Sequence, residues 1–175
     1  MREPVVLVGL MGSGKTSVGT RLAEALARPF RDSDQDLGDR YGQSAAEQAK
    51  RHGAEVLHER EAAMLREALA ERPPAVIAAA ASVVENPAAQ AALAGAYVVW
   101  LDAPPRVLAG RIAGGDDHRP QYHPDPETML SQQYEQRAPR FREVADLTVD
   151  VSDIDPDEAT SRIVAALRAG RLPER

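Results

Sequence analysis

A chain of 175 residues, 43% hydrophobic and 27% charged, has the size and balance of one stable globular domain and excludes a disordered or fibrous protein. A formal net charge of −6 argues against a nucleic-acid partner, and the lack of Cys excludes disulfides, thiol catalysis and thiolate metal sites. No apolar run nears the roughly 18 residues of a membrane span, so we expect no membrane, no signal peptide and a cytoplasmic protein.

Pro4 to Val8 is short, apolar and β-branched, which suits a buried parallel strand. Gly9 to Thr16 follows as GLMGSGKT, the pattern G-x-x-x-x-G-K-[ST]. Gly9, Gly12 and Gly14 permit a close backbone approach, so that N–H groups converge on one anion. Lys15 can reach β- and γ-phosphates, and the Thr16 hydroxyl can ligate Mg²⁺. From Ser17 to Leu26, residues Val18, Leu22, Ala25 and Leu26 recur at helical spacing, and the helix start adds orphan N–H groups and its dipole. Strand, glycine loop, Lys-Thr and helix in that order specify a phosphate loop.

Phe30 leads into Asp32-Ser33-Asp34-Gln35-Asp36, a second strand ending in carboxylates, and Leu37 and Tyr41 mark a brief helix before Gly42. Ser44 and Glu47 form a capping box, and after Gly53 a longer helix runs to about Ala70. Ala75 to Ala78 is a third strand, and Asn86-Pro87 starts a short helix. Tyr97 to Leu101 is a fourth strand, with Pro104-Pro105 opening the next helix. Residues 114–125, polar and unperiodic, are a long loop suited to a lid. Pro126 to Gln136 is helical, and Arg137-Ala138-Pro139 is expected to break it before Phe141 and Val144 continue. Leu147 to Asp150 is the last strand and Pro156 to Arg168 the last helix. Alternating strands and helices predict a three-layer α/β fold, with ligands beyond the strand ends near Gly9, Asp34, Ala79 and Asp102.

On these residues the whole chain resembles the shikimate kinases. The matching stretches are Gly9 to Gly19, Asp32-Ser33-Asp34, Tyr41 to Ser44 with Gly53 and Glu61, Arg119-Pro120, Arg111, and Arg137-Ala138-Pro139 with Phe141. The resemblance implies a P-loop NTPase fold with a five-stranded parallel sheet flanked by helices. It implies a single domain over 1–175, with acceptor-binding helices at about 33–70 and a lid at about 113–125. It also implies ATP-dependent phosphoryl transfer with Mg²⁺ to a hydroxyl of a small metabolite, in a protein expected to be a monomer.

In that scheme Gly9, Gly12, Ser13, Gly14, Lys15, Thr16, Ser17 and Arg111 hold the nucleotide, while Thr16 and Asp32 hold Mg²⁺. Lys15, Asp34 and Arg119 are catalytic: the two cations neutralise the phosphoryl group, and Asp34 orients the acceptor hydroxyl. Asp34, His58, Glu61, Ala80, Ala81 and Arg137 line the acceptor site. For Glu61 a solvent-facing position is an equal reading. His118 and His123 flank Arg119, but a metal site there lacks a third ligand.

Two departures shape the expected acceptor. His58 stands where the family has an arginine for the shikimate carboxylate, and Ala79-Ala80-Ala81 stand where it has three glycines. Three methyl groups would shrink the pocket and disfavour positive φ, and a mostly neutral imidazole lacks the charge and fork of Arg. Arg60, on another helical face, is a poor substitute. The departures weigh against shikimate, the family's substrate, and a different small polyol, a cyclitol or a sugar-like alcohol could take its place. The alternatives are a nucleotide-binding regulatory or partner protein with a degenerate acceptor site, and phosphorylation of a nucleoside or nucleoside monophosphate. The short segment between Asp34 and Pro73 leaves little room for the last.

Overall fold

The sheet is laid on β1 (Val5–Val8), whose four apolar side chains are fully buried. It pairs in parallel with β3 (Val76–Ala78) on one side and β4 (Tyr97–Asp102) on the other. β2 (Phe30–Asp32) joins β3, and β5 (Leu147–Asp150) joins β4, so the order is β2-β3-β1-β4-β5 and every pairing is parallel. Central strands enclosed on both faces need continuous apolar runs rather than alternation, which is the composition of β1, β3 and β4. The computed structural model describes residues 3–114 and 125–170.

Helices supply the crossovers that parallel strands require. α1 (Lys15–Leu26) buries Val18, Leu22 and Ala23 and packs against α8 (Pro156–Ala169), whose inner stripe is Ile163 and Leu167. α4 (Ala54–Ala70) packs on α5 (Pro87–Leu93), and α6 (Pro105–Gly114) on α7 (Pro126–Val144). Between β2 and α4 lie α2 (Ser33–Tyr41) and α3 (Ala45–His52). A small satellite cluster of Leu37, Leu57 and Met64 fastens α2 to α4, which sets the spacing of the side chains those helices present.

Starts of helices follow local side-chain chemistry. Ser44 and Glu47 form the expected capping box on α3, and Asn86, Asp125 and Asp155 each accept an N–H from the first turn of α5, α7 and α8.

Two expectations fail. The second strand does not run through the carboxylates: it ends at Asp32, whose side chain accepts the Asp34 N–H at 2.9 Å and turns Ser33 to Asp36 into the first turn of α2. Nor does Pro139 break the helix, since α7 is continuous from Pro126 to Val144. Proline there removes a backbone donor, but the turn beyond it carries Phe141, buried to 1% and stacked on Trp100 with ring centroids 5.8 Å apart. Burying a phenylalanine of that kind contributes about 2–3 kcal/mol, enough to offset much of the proline penalty.

Candidate active site

The loop between β1 and α1 is shaped by glycines that no other residue could replace without movement. Gly9 has φ +146° and a Cβ there would meet the Leu101 carbonyl oxygen at 2.6 Å; Gly12 has φ +84° and would meet that of Leu108 at 2.9 Å. The backbone can therefore curl tightly and present N–H groups at the start of α1, where the first turn has no carbonyl to bond. Lys15 Nζ folds over the loop and donates to the carbonyls of Gly9 at 2.8 Å and Leu10 at 3.2 Å. Ser13 Oγ is buried with no protein partner among the described residues, which suits an oxygen-rich ligand seated in the curl. The donor set therefore fits a nucleotide polyphosphate.

A carboxylate stands beside the loop. Thr16 Oγ1 donates to Asp32 Oδ2 at 2.6 Å, while the other Asp32 oxygen caps α2. One hydroxyl and one carboxylate match the sparse protein share of a Mg²⁺ site that keeps water and phosphate oxygens as its other ligands. No group of three or more metal-ligating carboxylates or histidines occurs among the described residues.

From this loop a cavity of about 630 Å³ extends over the ends of β2 and β3. Lys15, Thr16, Asp32, Asp34, His58, Glu61, Ala80, Ala81 and Arg137 all line it, so residues scattered over more than 120 positions meet around one space. Asp34 reaches it from the exposed first turn of α2. Glu61 reaches it from α4 and is 6% exposed, so the solvent-facing reading of this residue fails. Burial pushes the Glu61 carboxyl up to about 7; the Asp34 charge adds to the shift, while a hydrogen bond from Ser82 Oγ, Arg137 and Lys15 oppose it. His58 lies half-buried at the same end. Burial lowers its pKa, the Arg137 charge lowers it further, and Glu85 opposes both, which leaves a neutral imidazole near pH 7.

Arg60 does point elsewhere, donating to the buried Gln48 at 2.7 Å and stacking 4.2 Å from the Tyr41 ring centroid. His52 is exposed. A second cleft of about 190 Å³ opens on the far side of the loop between Gly12 to Val18, Arg111 and Val151 to Pro156. Arg111 edges this cleft with its guanidinium fixed by the carbonyls of Val151, Ser152 and Gly12. Ser17 borders both spaces. Arg119 and most of the expected lid, with His118 and His123, lie outside the described residues.

Sequence reasoning missed Ser82, Glu85 and Gln133. Ser82 and Glu85 belong to a 3₁₀ turn over Ala81–Glu85 that carries no periodic signal, and their partners Glu61 and Arg137 are 21 and 52 residues away.

A family model described as shikimate kinase matches residues 11–168. The chain belongs to the shikimate kinase family. A shikimate kinase of Thermobifida fusca is 34% identical over 168 residues, covering 96% of both chains, and one of Pseudomonas syringae pv. tomato is 35% identical over 173 residues, covering 98% of both. A shikimate kinase from Acinetobacter baumannii, solved in complex with shikimate, superposes with a TM-score of 0.89 at 28% identity, covering 97% of this chain and 95% of that one. The five-stranded parallel sheet flanked by helices is thus that of the family, and the protein is an ATP-dependent small-molecule kinase. No described helix is long and apolar enough to cross a membrane.

The expected departure from shikimate is not borne out. The relatives similar over nearly the full length are shikimate kinases, and the positive-φ conflict anticipated for the alanines is absent. Ala80 has φ −61° and the positive-φ residues other than glycine include only Ala27 among the described ones, so this shikimate kinase-family chain carries no left-handed strain at positions 79–81. Ala79 is 2% exposed and belongs to the core cluster, and with Ala80 and Ala81 it borders the cavity, which stays open to about 630 Å³.

Proposed function

We propose that the protein transfers the γ-phosphoryl group of ATP to a hydroxyl of shikimate, with Mg²⁺ as the required ion. The supporting observation is that one cavity runs without interruption from the phosphate loop to Asp34, Glu61 and Arg137. Donor and acceptor can therefore meet in line without any large rearrangement of the sheet.

When bound, MgATP supplies the transferable phosphoryl group and the ion that shields its oxygens. The N–H groups of Gly12 and of Gly14 to Thr16 cradle the polyphosphate, while that of Ser13 closes the loop on the Leu10 carbonyl at 3.2 Å, and Gly9 and Gly14 permit that curl. Lys15 leaves the carbonyls it now holds and follows the terminal phosphates. Ser13 and Ser17 border the same ligand, and Arg111 frames the nucleoside end with its fixed guanidinium. Thr16 and Asp32 hold Mg²⁺, directly or through water.

On the acceptor side, Asp34 accepts the hydroxyl's hydrogen bond, aims its oxygen at the γ-phosphorus and takes the proton late. The new O–P bond forms as the bond to the bridging oxygen of ADP breaks. Arg137 faces the acceptor carboxylate, His58 offers a neutral hydrogen bond, and Glu61 with Ser82 shapes the wall. Ala80 and Ala81 form a smooth floor. Arg119 remains our candidate for the lid cation on the phosphoryl oxygens. All of these groups come from one chain, and we take the working unit to be a monomer in the cytoplasm, where ATP is supplied.

The test is ADP release with shikimate, compared with a panel of cyclitols and sugars, with the product identified by mass. Shikimate should stimulate release and gain one phosphoryl group. A panel alcohol turned over more efficiently than shikimate, or no stimulation by any acceptor, would overturn the proposal.

A further inference from the structure

Arg137 arrives in the cavity already holding a carboxylate of its own chain. Its Nε donates to Glu85 Oε2 at 2.9 Å, its Nη2 stands 2.8 Å from the same oxygen, and its Nη1 donates to Gln133 Oε1 at 3.3 Å. The Arg137 side chain is 11% exposed and that of Glu85 30%. A guanidinium binds carboxylates best through adjacent N–H groups of its planar fork, and Glu85 occupies one such edge.

The charge at this end of the cavity is consequently spent. Arg137 contributes +1 and Glu85 −1, and the neighbouring His58 is held neutral by its burial and by Arg137. An anionic acceptor approaching Arg137 meets a like charge on the same guanidinium. It must displace Glu85 or share the fork with it, whereas a neutral acceptor meets no such opposition. Glu85 has somewhere to go, because it ends the 3₁₀ turn and its half-exposed carboxylate can be taken up by water.

We infer that Glu85 is a specificity-determining residue, an internal carboxylate that occupies Arg137 in the free protein and yields when an anionic acceptor binds. The inference rests on the reading of Arg137 as the partner of the acceptor carboxylate. Its role is exercised on acceptor binding alone, so it weakens affinity for anionic acceptors without entering phosphoryl transfer.

Glu85→Gln keeps the length of the side chain and an amide oxygen for Arg137 while removing the charge. Shikimate should bind this variant on the order of 10-fold more tightly, both as KM and as the calorimetric Kd, a gain of about 1.4 kcal/mol. The gain should be absent with the methyl ester of shikimate, which has no carboxylate charge, and the KM for ATP serves as an internal reference. Glu85→Ala should move shikimate affinity in the same direction. Unchanged or weaker binding of shikimate by both variants would overturn the inference, because Glu85 would then be orienting Arg137 rather than competing for it. The two readings fail separately. Turnover of shikimate by the wild type without a gain in the variants removes only the role of Glu85. Tighter binding by Glu85→Gln without turnover in either protein removes only the kinase acceptor. No binding of shikimate by either protein removes both.

Discussion

Thr16 Oγ1 donates to Asp32 Oδ2 at 2.6 Å, and this single hydrogen bond ties the phosphate loop to the strand that begins the acceptor side. The other Asp32 oxygen caps α2, the helix that carries Asp34. Under the proposed function Asp32 has two separable duties, one electrostatic at the ion and one structural at the cap. Asn is as good a helix cap as Asp, so Asp32→Asn should change unfolding free energy by under about 0.5 kcal/mol. Loss of the charge should lower kcat/KM on the order of 100-fold and raise the Mg²⁺ concentration needed for half-maximal rate. A Mg²⁺ titration of the initial rate, beside a urea melt, separates the two duties. An unchanged Mg²⁺ requirement would assign Asp32 to the cap alone.

His58 offers a second test. It is half-buried, neutral near pH 7, and close to Arg137 in the cavity that we propose takes the acceptor carboxylate. His58→Arg adds a permanent cation with a carboxylate-matching fork, so the KM for shikimate should fall on the order of 10-fold while the KM for ATP stays constant. Initial rates across a shikimate series decide this. A rise in KM would mean that position 58 contributes through its size and not through its charge.

Glu61 makes stability depend on pH. Its carboxyl is raised by burial from the ordinary 4.5 to about 7, so the folded chain keeps a proton that the unfolded chain releases. The contribution is fully favourable below about pH 4.5 and is lost as pH rises towards 7, since the native state binds more protons across that window. Glu61→Gln keeps an acceptor for the Ser82 hydroxyl and removes the titration. Its stability relative to wild type should therefore rise between pH 5 and pH 8, by an amount on the order of 1–3 kcal/mol. Urea melts at the two pH values measure that difference, and an identical difference at both would contradict the raised carboxyl.

What could be read from the chain alone was whatever depends on neighbours a few residues apart. The phosphate loop, the buried runs of β1 and β4 and the Ser44–Glu47 capping box all declare themselves locally, and all are present. Pro139 misled because its local penalty is visible in sequence, whereas the compensating stack of Phe141 on Trp100, on a strand 41 residues earlier, is not. Ala79 to Ala81 misled for a related reason. The effect of a methyl group depends on φ and on its surroundings, and Ala80 has ordinary extended backbone while Ala79 is buried to the level of the core. The Arg137–Glu85 pair is the clearest case: half of it lies in a turn without periodicity, and only the packing of α7 on that turn brings the charges together.

Under the proposed function, the curl from Gly9 to Thr16, with Lys15 and Asp32, grips the polyphosphate of MgATP. Titration calorimetry of the purified protein with ATP, in the presence and absence of Mg²⁺, addresses it without depending on any acceptor. Saturable binding of one ATP per chain, tighter with Mg²⁺ and lost in Lys15→Met, is the predicted result. Folded protein that takes up no ATP under either condition, or that binds equally well without Lys15, would contradict it.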